Sequence, residues 1–384
     1  MFGKNKRIIQ AFQGNVELKK IILGEEIIWP LTSEFTEAYV ESWGNLFKLD
    51  YLRNLDNPNA HSTNVALDPS YGSHIFDLVK NENLDTLYLG GNSTRRIWLV
   101  NAETLERTSQ TNQFSGHIFG VDFDEEYIYV VEGTTLRKLE KNWPHSIIGS
   151  TSFQASSMVR RKHLIIGTHN GVLRFCNKET LSVSSHTFHR PGGANWPNHT
   201  PWLYKTEDDG VVVVWHHPAS TSNPKIGFRK LSFDANDEVT DFTQWNTLDG
   251  FEHDFSSPSG YISHAFPTWD GEKLIVFTAP DRFLNSDPQY VHEFSLSDGT
   301  LLRSVQQNTY DDVSWGNPVK VGVAYRGVRT RDAYYSLTGV SGNTKLGVIN
   351  LDTLEVSFLD TNIIAAYNQV EMFNGNKSHG RRFD

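Results

Sequence analysis

The segment WLVNAETLERTSQ (residues 98–110) decides the fold, because close copies of it recur along the chain. RFCNKETLSVSSH (174–186) and GVINLDTLEVSFL (347–359) repeat its order of an apolar strand, a polar turn ending in Thr-Leu, and a second alternating strand. EFSLSDGTLLRSV (293–305) is a looser copy. Alternating runs joined by a polar turn are typical of antiparallel strands. The chain is therefore predicted to consist of repeated β units.

Two further strands precede each of these hairpins. TLYLGGN (86–92) and YIYVVEG (127–133) are examples of the short apolar runs that come directly before the hairpin. RKLEKNWPHSIIGS (137–150) and RKLSFDANDEVTDF (229–242) take the place of the hairpin in two units, with a degenerate turn. The unit is thus four antiparallel strands that recur every about 36–60 residues, which is typical of a β-propeller.

Six complete units lie between residues 71 and 361. Further strands remain at the two ends of the chain. TEAYVESWGNLFKLDYLRN (36–54) and AAYNQVEMFNG (365–375) together supply a seventh blade. A ring closed by both termini has no open sheet edge. The fold class is therefore predicted as all-β, a propeller of seven four-stranded blades, with six and eight blades as alternatives. Two stacked β-sandwiches are disfavoured, because no linker rich in Pro, Gly or Ser divides the chain.

The composition excludes several classes of function. The net charge of −10 argues against nucleic-acid binding, which normally needs a basic face. The single cysteine, Cys176, permits no internal disulfide and lies on an apolar strand, so it is predicted to be core. The basic start MFGKNKRIIQAF has no long apolar core, so we expect no signal peptide, and no apolar stretch is long enough for a membrane span.

Catalytic signatures are missing from the sequence, which predicts a protein that is not an enzyme and has no cofactor. His74, His117 and His264 precede the first strand of three units, where they would reach the mouth of a shared channel and could hold a transition metal. The competing interpretation is that each caps its own strand. DANDE (residues 234–238) has acidic residues spaced as in a calcium loop, but it lacks the glycine and the terminal glutamate.

Long aromatic segments carry the predicted binding face. They span residues 188–202, 244–261 and 278–290, and they come from consecutive units. Aromatic faces beside polar and charged groups suit sugar rings or protein partners. The tryptophans Trp98, Trp215 and Trp269, in or next to strands, can equally pack between blades. The residues predicted to bind are Trp196, Trp202, Phe251, Tyr261, Arg282 and Tyr290.

The N-terminal segment VELKKIILGEEIIWP (residues 16–30) differs from the repeats and predicts a small hairpin that needs a partner. It resembles a short segment of the form V-x-x-I-x-L-G-x-x-x-I-W-P at the start of tail, baseplate and fibre proteins of bacteriophages that infect Gram-positive hosts. The spacing differs from that pattern by one residue near Lys20 and Ile21. The residues assigned to docking are Val16, Ile22, Leu23, Ile28 and Trp29, and Gly24 and Pro30 also match the pattern.

The resemblance implies a virion structural protein whose residues 1–33 dock on the tail, baseplate or neck and whose residues 34–384 form the propeller. Its expected partners are other virion proteins, further copies of the same chain in the particle, and host cell-wall saccharide. Virions assemble in the host cytoplasm and leave by lysis, which agrees with the lack of a signal peptide. The alternative function is a propeller-type polysaccharide lyase or glycosidase that uses the histidines at the channel mouth.

Overall fold

The computed structural model describes residues 12–13, 16–17, 21–23, 26–29, 37–42, 45–50, 63–66, 75–80, 86–91, 95–189, 201–216, 225–240, 247–255, 261–279, 289–307, 311–312, 317–318, 328–329, 333–340, 343–360 and 370–373. The secondary structure in these ranges consists of β-strands. No helix of the described residues is long and apolar enough to cross a membrane.

Most strands form sheets in which successive strands pair antiparallel, and we number these sheets along the chain. Sheet 1 contains Glu37–Ser42, Asn45–Asp50 and Thr63–Ala66, with Val370–Phe373 paired to the first of them. Sheet 2 contains Ile75–Lys80, Thr86–Gly91, Arg96–Asn101 and Arg107–Gln110. Sheet 3 contains Ile118–Phe123, Tyr127–Glu132, Thr135–Glu140 and Ile147–Ser152.

The later sheets keep this order with two additions from residues 247–254. Sheet 4 contains Ser157–Arg160, Leu164–His169, Val172–Asn177 and Val183–His189, and Thr247–Asp249 adds a fifth, parallel strand. Sheet 5 contains Trp202–Lys205, Val211–His216, Lys225–Leu231 and Phe251–Asp254. Sheet 6 contains Tyr261–Pro267, Lys273–Ala279, Gln289–Ser295 and Leu301–Gln307. Sheet 7 contains Val328–Arg329, Ala333–Val340, Asn343–Asn350 and Val356–Asp360.

Three two-stranded sheets stand outside this series. They pair Phe12–Gln13 with Val16–Glu17, Ile21–Leu23 with Glu26–Trp29, and Asp311–Asp312 with Asn317–Pro318. The second is the predicted N-terminal hairpin. Its pairing shifts register between Ile21 and Ile22.

One strand assignment from the sequence was wrong. Residues 239–242 were expected to form the outer strand of the unit that begins at Arg229, but Phe251–Asp254 occupies that edge of sheet 5. Residues 234–238 form a tight turn that an isolated bridge from Phe233 to Val239 closes. The Asp237 carboxylate in this turn accepts a hydrogen bond from Arg161 Nε at 2.7 Å, which ties the turn to sheet 4. The segment 244–261, predicted as a loop, therefore supplies edge strands to two sheets.

The first strands of neighbouring sheets contact each other in chain order. Ile118–Phe123 of sheet 3 contacts Ile75–Lys80 of sheet 2 and Ser157–Arg160 of sheet 4, which in turn contacts Trp202–Lys205 of sheet 5. Tyr204 Oη donates a hydrogen bond of 2.6 Å to Ala265 O in sheet 6. The first strand of each of these sheets therefore faces the inside, as in a propeller.

Among the described residues, the hydrophobic core lies between neighbouring sheets, from sheets 2 and 3 to sheets 6 and 7. Between sheets 2 and 3, Tyr88 and Phe123 stack with ring centroids 5.1 Å apart. Cys176 is buried between sheets 3 and 4, as predicted, and burial raises the pKa of its thiol to about 12. Trp98 and Trp215 are also buried, which supports packing between sheets over ligand binding for these two residues.

The repeated Asn-x-x-Thr-Leu turn joins the third and fourth strands of sheets 2, 4 and 7. In sheet 2, Asn101 Oδ1 accepts hydrogen bonds from the backbone N–H of Glu103 at 2.9 Å and Thr104 at 2.8 Å. Asn177 and Asn350 accept the equivalent pairs of hydrogen bonds in sheets 4 and 7. The asparagine thus satisfies two turn N–H groups, which explains its recurrence.

The leucine of this turn adopts a left-handed backbone conformation that side chains rarely accept. The φ angles are 59° at Leu105, 57° at Leu181 and 59° at Leu354. Such a conformation costs roughly 1–2 kcal/mol for a residue with a Cβ atom. Leu105 and Leu354 are almost fully buried, and a Cβ added to Gly149 in sheet 3 would lie 2.5 Å from Leu181 Cδ1. Burial against the preceding sheet offsets the backbone strain.

Candidate functional site

The predicted aromatic face is only partly present in the described residues. Trp202 begins the first strand of sheet 5 and is 5% exposed, so its ring packs in the core. Tyr290 lies in the strand Gln289–Ser295 and stacks on His292 with ring centroids 5.9 Å apart. Tyr261 lies in the strand Tyr261–Pro267, and Phe251 is partly exposed. Trp196 and Arg282 lie outside the described residues.

The three histidines predicted at the channel mouth do not form a described cluster. His117 is exposed and lies beside Phe119, with ring centroids 6.5 Å apart. His264 lies in the strand Tyr261–Pro267, and His74 lies outside the described residues. Among the residues that the structure describes, no group of three His, Cys, Asp or Glu side chains could hold a metal ion.

Two other histidines are part of hydrogen-bond networks within their sheets. His169 in sheet 4 lies 2.7 Å from Ser156 Oγ and 2.9 Å from Gln154 Nε2. His292 in sheet 6 lies 2.9 Å from Thr278 Oγ1 and 2.8 Å from Ser304 Oγ. Burial, together with the nearby His253, lowers the pKa of His292 to about 4, so this imidazole is neutral at pH 7.

Two groups of carboxylates form ion pairs or hydrogen bonds within a single sheet or turn. Glu293 forms ion pairs with Arg303 at 2.5 Å and Lys273 at 3.0 Å. Partial burial alone would raise the pKa of Glu293, but the hydrogen bonds from Arg303 and Lys273 outweigh it and hold the pKa below its usual value. In the proposed calcium loop, Asp234 Oδ1 accepts the backbone N–H groups of Asn236 and Glu238. These carboxylates stabilise the structure through contacts within the chain.

A cleft of about 880 Å³ opens between sheets 5 and 6, with Arg161 of sheet 4 at one side. Its charged side chains are mostly cations, although the chain as a whole is acidic. Turn residues from the ends of the strands form much of its wall, among them Gly210, Gly271 and Ser297. Its volume lies in the range of small-molecule sites, roughly 300–1,000 Å³. The ionisable residues at its surface are Arg161, Asp208, Arg229, Lys230, Glu272 and Lys273.

Lys230 has a fixed position in the cleft because two glycines make room for it. A Cβ atom at Gly210 would lie 3.1 Å from Lys230 Cε, and one at Gly271 would lie 2.9 Å from Lys230 Nζ. Lys230 Nζ donates a hydrogen bond of 2.9 Å to Asp208 Oδ2. Partial burial raises the pKa of Asp208, but hydrogen bonds from Thr206 and Lys230 outweigh it and keep the pKa low. The pair therefore remains charged at neutral pH.

Phe251 forms the aromatic part of the cleft, and a glycine again allows its approach. A Cβ atom at Gly299, whose φ is 75°, would lie 2.6 Å from Phe251 Cγ. Gly299 occupies the turn position that leucine holds in sheets 2, 4 and 7. Its N–H donates a hydrogen bond of 3.0 Å to Ser295 O, just as the leucine N–H donates to the backbone oxygen of the turn asparagine. The ring of Phe251 therefore takes space that a turn leucine would otherwise fill.

Arg229 completes the cation-rich wall beside this ring. Its guanidinium carbon lies 5.6 Å from the Phe251 ring centroid, within the range of a cation–π contact. In the equivalent position of sheet 3, Arg137 forms an ion pair with Glu132. The strand pairing places Trp215 of sheet 5 where sheet 3 has Glu132. Part of this equivalence is visible in the sequence, because the Arg-Lys-Leu of residues 137–139 recurs at 229–231.

Comparison with known proteins shows the fold alone. No protein-family model matches the chain, and none of the curated proteins matches it. The β-propeller domain of Cps50 (Swd1) from Myceliophteria thermophila is 11% identical, with a TM-score of 0.51 over 86% of this chain and 95% of that one. Hydrazine synthase from Kuenenia stuttgartiensis is 12% identical, with a TM-score of 0.50 over 72% of this chain and 77% of that one.

A chain of a mitotic checkpoint complex is also similar, at 9% identity and a TM-score of 0.50 over 79% of this chain and 81% of that one. These identities are too low to carry function across. They agree with the row of antiparallel sheets whose first strands face each other. The chain therefore has the β-propeller fold that its repeats predict.

Proposed function

We propose that this protein is a non-enzymatic virion component of a bacteriophage, in which the N-terminal segment docks on the tail, baseplate or neck and the propeller binds a partner. The observation that carries this proposal is the hairpin of Ile21–Leu23 with Glu26–Trp29, which pairs by itself and adds no strand to sheets 1–7. A two-stranded hairpin is at best marginally stable alone, so it requires a surface to pack on.

The second half of the segment supports the resemblance to phage anchor segments. Residues 24–30 match the G-x-x-x-I-W-P part of the pattern without a change of spacing, and Glu26–Trp29 pairs with Ile21–Leu23. We propose docking for the segment as a whole, which includes the assigned residues Val16, Ile22, Leu23, Ile28 and Trp29. Residues 1–33 are accordingly proposed as the docking segment and 34–384 as the displayed domain.

We further propose that the propeller has seven blades and that both termini close the ring. Seven sheets of four or five strands support this count. The pairing of Val370–Phe373 with Glu37–Ser42 supports closure, because it joins the last strand of the chain to the first sheet. Closure by both termini would leave no open edge in the ring.

A binding role for the propeller is favoured over catalysis. The carboxylates of Asp208 and Glu293 and the imidazoles of His169 and His292 form hydrogen bonds within the chain. Two exposed apolar side chains of sheet 3, Trp143 in the turn before the outer strand and Ile148 on that strand, support protein partners such as other virion subunits or further copies of the chain. We also propose that the propeller attaches to a host saccharide. We place the protein in the virion because of its docking segment.

The proposal is tested by deletion of residues 1–33 during particle assembly. The shortened chain should keep its β-sheet circular dichroism but be absent from purified particles. Trp29→Ala in the full chain is the milder version and should reduce incorporation, whereas Arg107→Ala on sheet 2 is the control. If the shortened chain enters particles as the full chain does, the docking function is refuted.

A further inference from the structure

We infer that the propeller binds a neutral saccharide on one of its two faces, at the ends of the strands of sheets 5 and 6. We call it the connection face, because it carries the connections between second and third strands and those from one sheet to the next. The opposite face, the turn face, carries the turns after the first and third strands. The inference rests on the proposed saccharide ligand, names its class and locates its surface.

Sheets 4, 5 and 6 point the same way, so their turn faces lie on the same side of the propeller. Arg161 follows the first strand of sheet 4, and its Nε donates a hydrogen bond of 2.7 Å to Asp237, which precedes the last strand of sheet 5. Glu207 N, after the first strand of sheet 5, donates a hydrogen bond of 2.7 Å to Trp269 O, in the equivalent turn of sheet 6. These contacts join turn to turn.

Antiparallel pairing then brings four connections of these sheets to the opposite side, the connection face. Residues 217–224 join the second and third strands of sheet 5, and residues 280–288 join those of sheet 6. Residues 190–201 lead from sheet 4 to sheet 5, and residues 255–260 lead from sheet 5 to sheet 6. Each aromatic segment predicted from the sequence contains one of these connections, so all three meet this face.

The sequences of the four connections favour a neutral ligand rich in hydroxyl groups. Their charged residues are Arg190, Asp281, Arg282 and Asp287, which as a set carry no net charge. Leu284 is their single large aliphatic residue, whereas the cores of protein interfaces are usually apolar. Asn, Ser, Thr and His together are their most frequent residue types. Like sugar hydroxyls, these side chains can donate and accept hydrogen bonds.

An aromatic group of described residues lies at the same ends of the strands, where sheets 5 and 6 meet. Tyr290 is partly exposed at the start of the third strand of sheet 6, and its ring stacks on His292 with centroids 5.9 Å apart. The ring of Phe255, at the end of sheet 5, lies 4.9 Å from His292 on the other side of this interface. Burial lowers the pKa of His292 to about 4, so it adds no charge at pH 7. A supported tyrosine offers an apolar ring and a hydroxyl, which suits a pyranose.

The charged groups beside this aromatic group disfavour an acidic ligand. Lys225 begins the third strand of sheet 5, and its Nζ forms an ion pair of 2.8 Å with Glu252 on the outer strand. Asp254, which the strand pairing places opposite Lys225, is a further acid and not a cation. An acidic sugar would therefore meet carboxylates and a lysine that already has an anionic partner, and like charges in contact are unfavourable.

The ligand class is tested on the isolated full chain with a printed array of neutral oligosaccharides and oligosaccharides that contain uronic acids. The neutral set includes oligomers of glucose, galactose, rhamnose and N-acetylhexosamines. At least one neutral oligosaccharide should bind, and it should bind at least about 10-fold more tightly than any acidic one. Calorimetric titration with the best neutral oligosaccharide then gives the affinity of each variant.

Variants in pairs locate the surface. Tyr290→Ala should weaken binding about 10-fold or more, whereas Tyr127→Ala, a partly exposed strand tyrosine at the turn face of sheet 3, should not. Fluorescein maleimide attached to Gln306→Cys, which pairs with Tyr290, should block binding, and the same label on Ser297→Cys, in the turn of sheet 6, should not. The native Cys176 is buried, so the introduced thiol is the one labelled. Thermal unfolding checks that each variant is folded, and the labelled pair remains informative if Tyr290→Ala is not.

The possible failures are distinguishable. No bound neutral oligosaccharide, or an acidic one bound as tightly, would overturn the ligand class. Equal effects of the two labels, or of the two tyrosine substitutions, would overturn the surface even if a neutral saccharide binds. The docking function is judged separately, by the deletion of residues 1–33 in particle assembly.

Discussion

The interface between sheets 3 and 4 and the interface between sheets 5 and 6 solve the same packing problem in opposite ways. In the first, the turn of sheet 4 carries the large residue, Leu181, and the outer strand of sheet 3 carries Gly149 beneath it. In the second, the outer strand of sheet 5 carries the large residue, Phe251, and the turn of sheet 6 carries Gly299. The large and small residues have exchanged sides.

The exchange of the large and the small residue explains why the cleft lies beside the least regular repeat. A turn leucine is buried against the preceding sheet, whereas the Phe251 ring stays partly exposed beside Arg229. Ser295 replaces the turn asparagine at the same place and its hydroxyl lies 2.9 Å from Ser297 Oγ. The looser copy of the repeat, residues 293–305, therefore departs from the other copies in the turn beside the cleft.

The largest expected effect comes from restoring the repeat with Gly299→Leu. Its Cβ atom would lie 2.6–2.8 Å from three atoms of Phe251, and the φ of 75° adds strain for any side chain. The free energy of unfolding should fall by about 3 kcal/mol. Urea unfolding followed by tryptophan fluorescence measures it. A loss below about 1 kcal/mol would mean that Phe251 has room to move and that the comparison overstates the contact.

The reverse exchange, Leu354→Gly in sheet 7, should have a smaller effect. It removes a fully buried side chain, which costs roughly 3 kcal/mol, but it relieves the left-handed strain at a φ of 59°, which returns roughly 1 kcal/mol. The net loss should be about 2 kcal/mol by the same urea unfolding. Leu354→Ala is the control, since it keeps the strain, and it should be no more stable than the glycine variant.

Sheet 6 should lose stability in acid because of His292. Burial lowers the pKa of His292 to about 4 from 6.5, so protonation favours the unfolded chain. The stabilisation is complete above pH 6.5 and is lost as the pH falls toward 4. Between pH 7 and pH 5 the loss should be roughly 1–2 kcal/mol. The variant His292→Gln should lose less over the same interval, and an identical slope for both proteins would assign the acid sensitivity to other groups.

The smallest expected loss of stability distinguishes the asparagine turn of sheet 7 from the serine turn of sheet 6. Asn350→Ala removes an acceptor for two backbone N–H groups and should cost about 1 kcal/mol. Ser295→Ala removes a hydroxyl whose hydrogen-bond partners, Ser297 and Asp298, are both exposed, and it should cost less than about 0.5 kcal/mol. Thermal unfolding of the two variants side by side checks the order. Equal losses would show that the two turns are held in the same way.

The sequence predicted the regular parts of the fold because their signals are local. Asn101, Thr104 and Leu105 bond within their own turn, so the motif predicts the turn wherever it occurs. The strands before each turn follow from apolar periodicity. Trp202 was predicted in an aromatic binding segment, but it begins the strand Trp202–Lys205 and is buried.

The cleft could not be predicted because its residues meet through pairing between distant segments. Phe251 lies at the edge of sheet 5, and Asp237 ties the turn of residues 234–238 to Arg161 of sheet 4. Neither contact leaves a local pattern. The repeated Arg-Lys-Leu is visible in the sequence, but the equivalence of Trp215 with Glu132 follows only from the strand register of sheets 5 and 3.

The most direct test of the exchange is a double-mutant cycle between Gly299→Leu and Phe251→Ala, measured by urea unfolding. If the ring occupies the place of the turn leucine, removing it makes room for that leucine, and the double variant should be about 2 kcal/mol more stable than the sum of the single losses predicts. Losses that add within about 0.5 kcal/mol would contradict the account, because the two positions would then not compete for the same space.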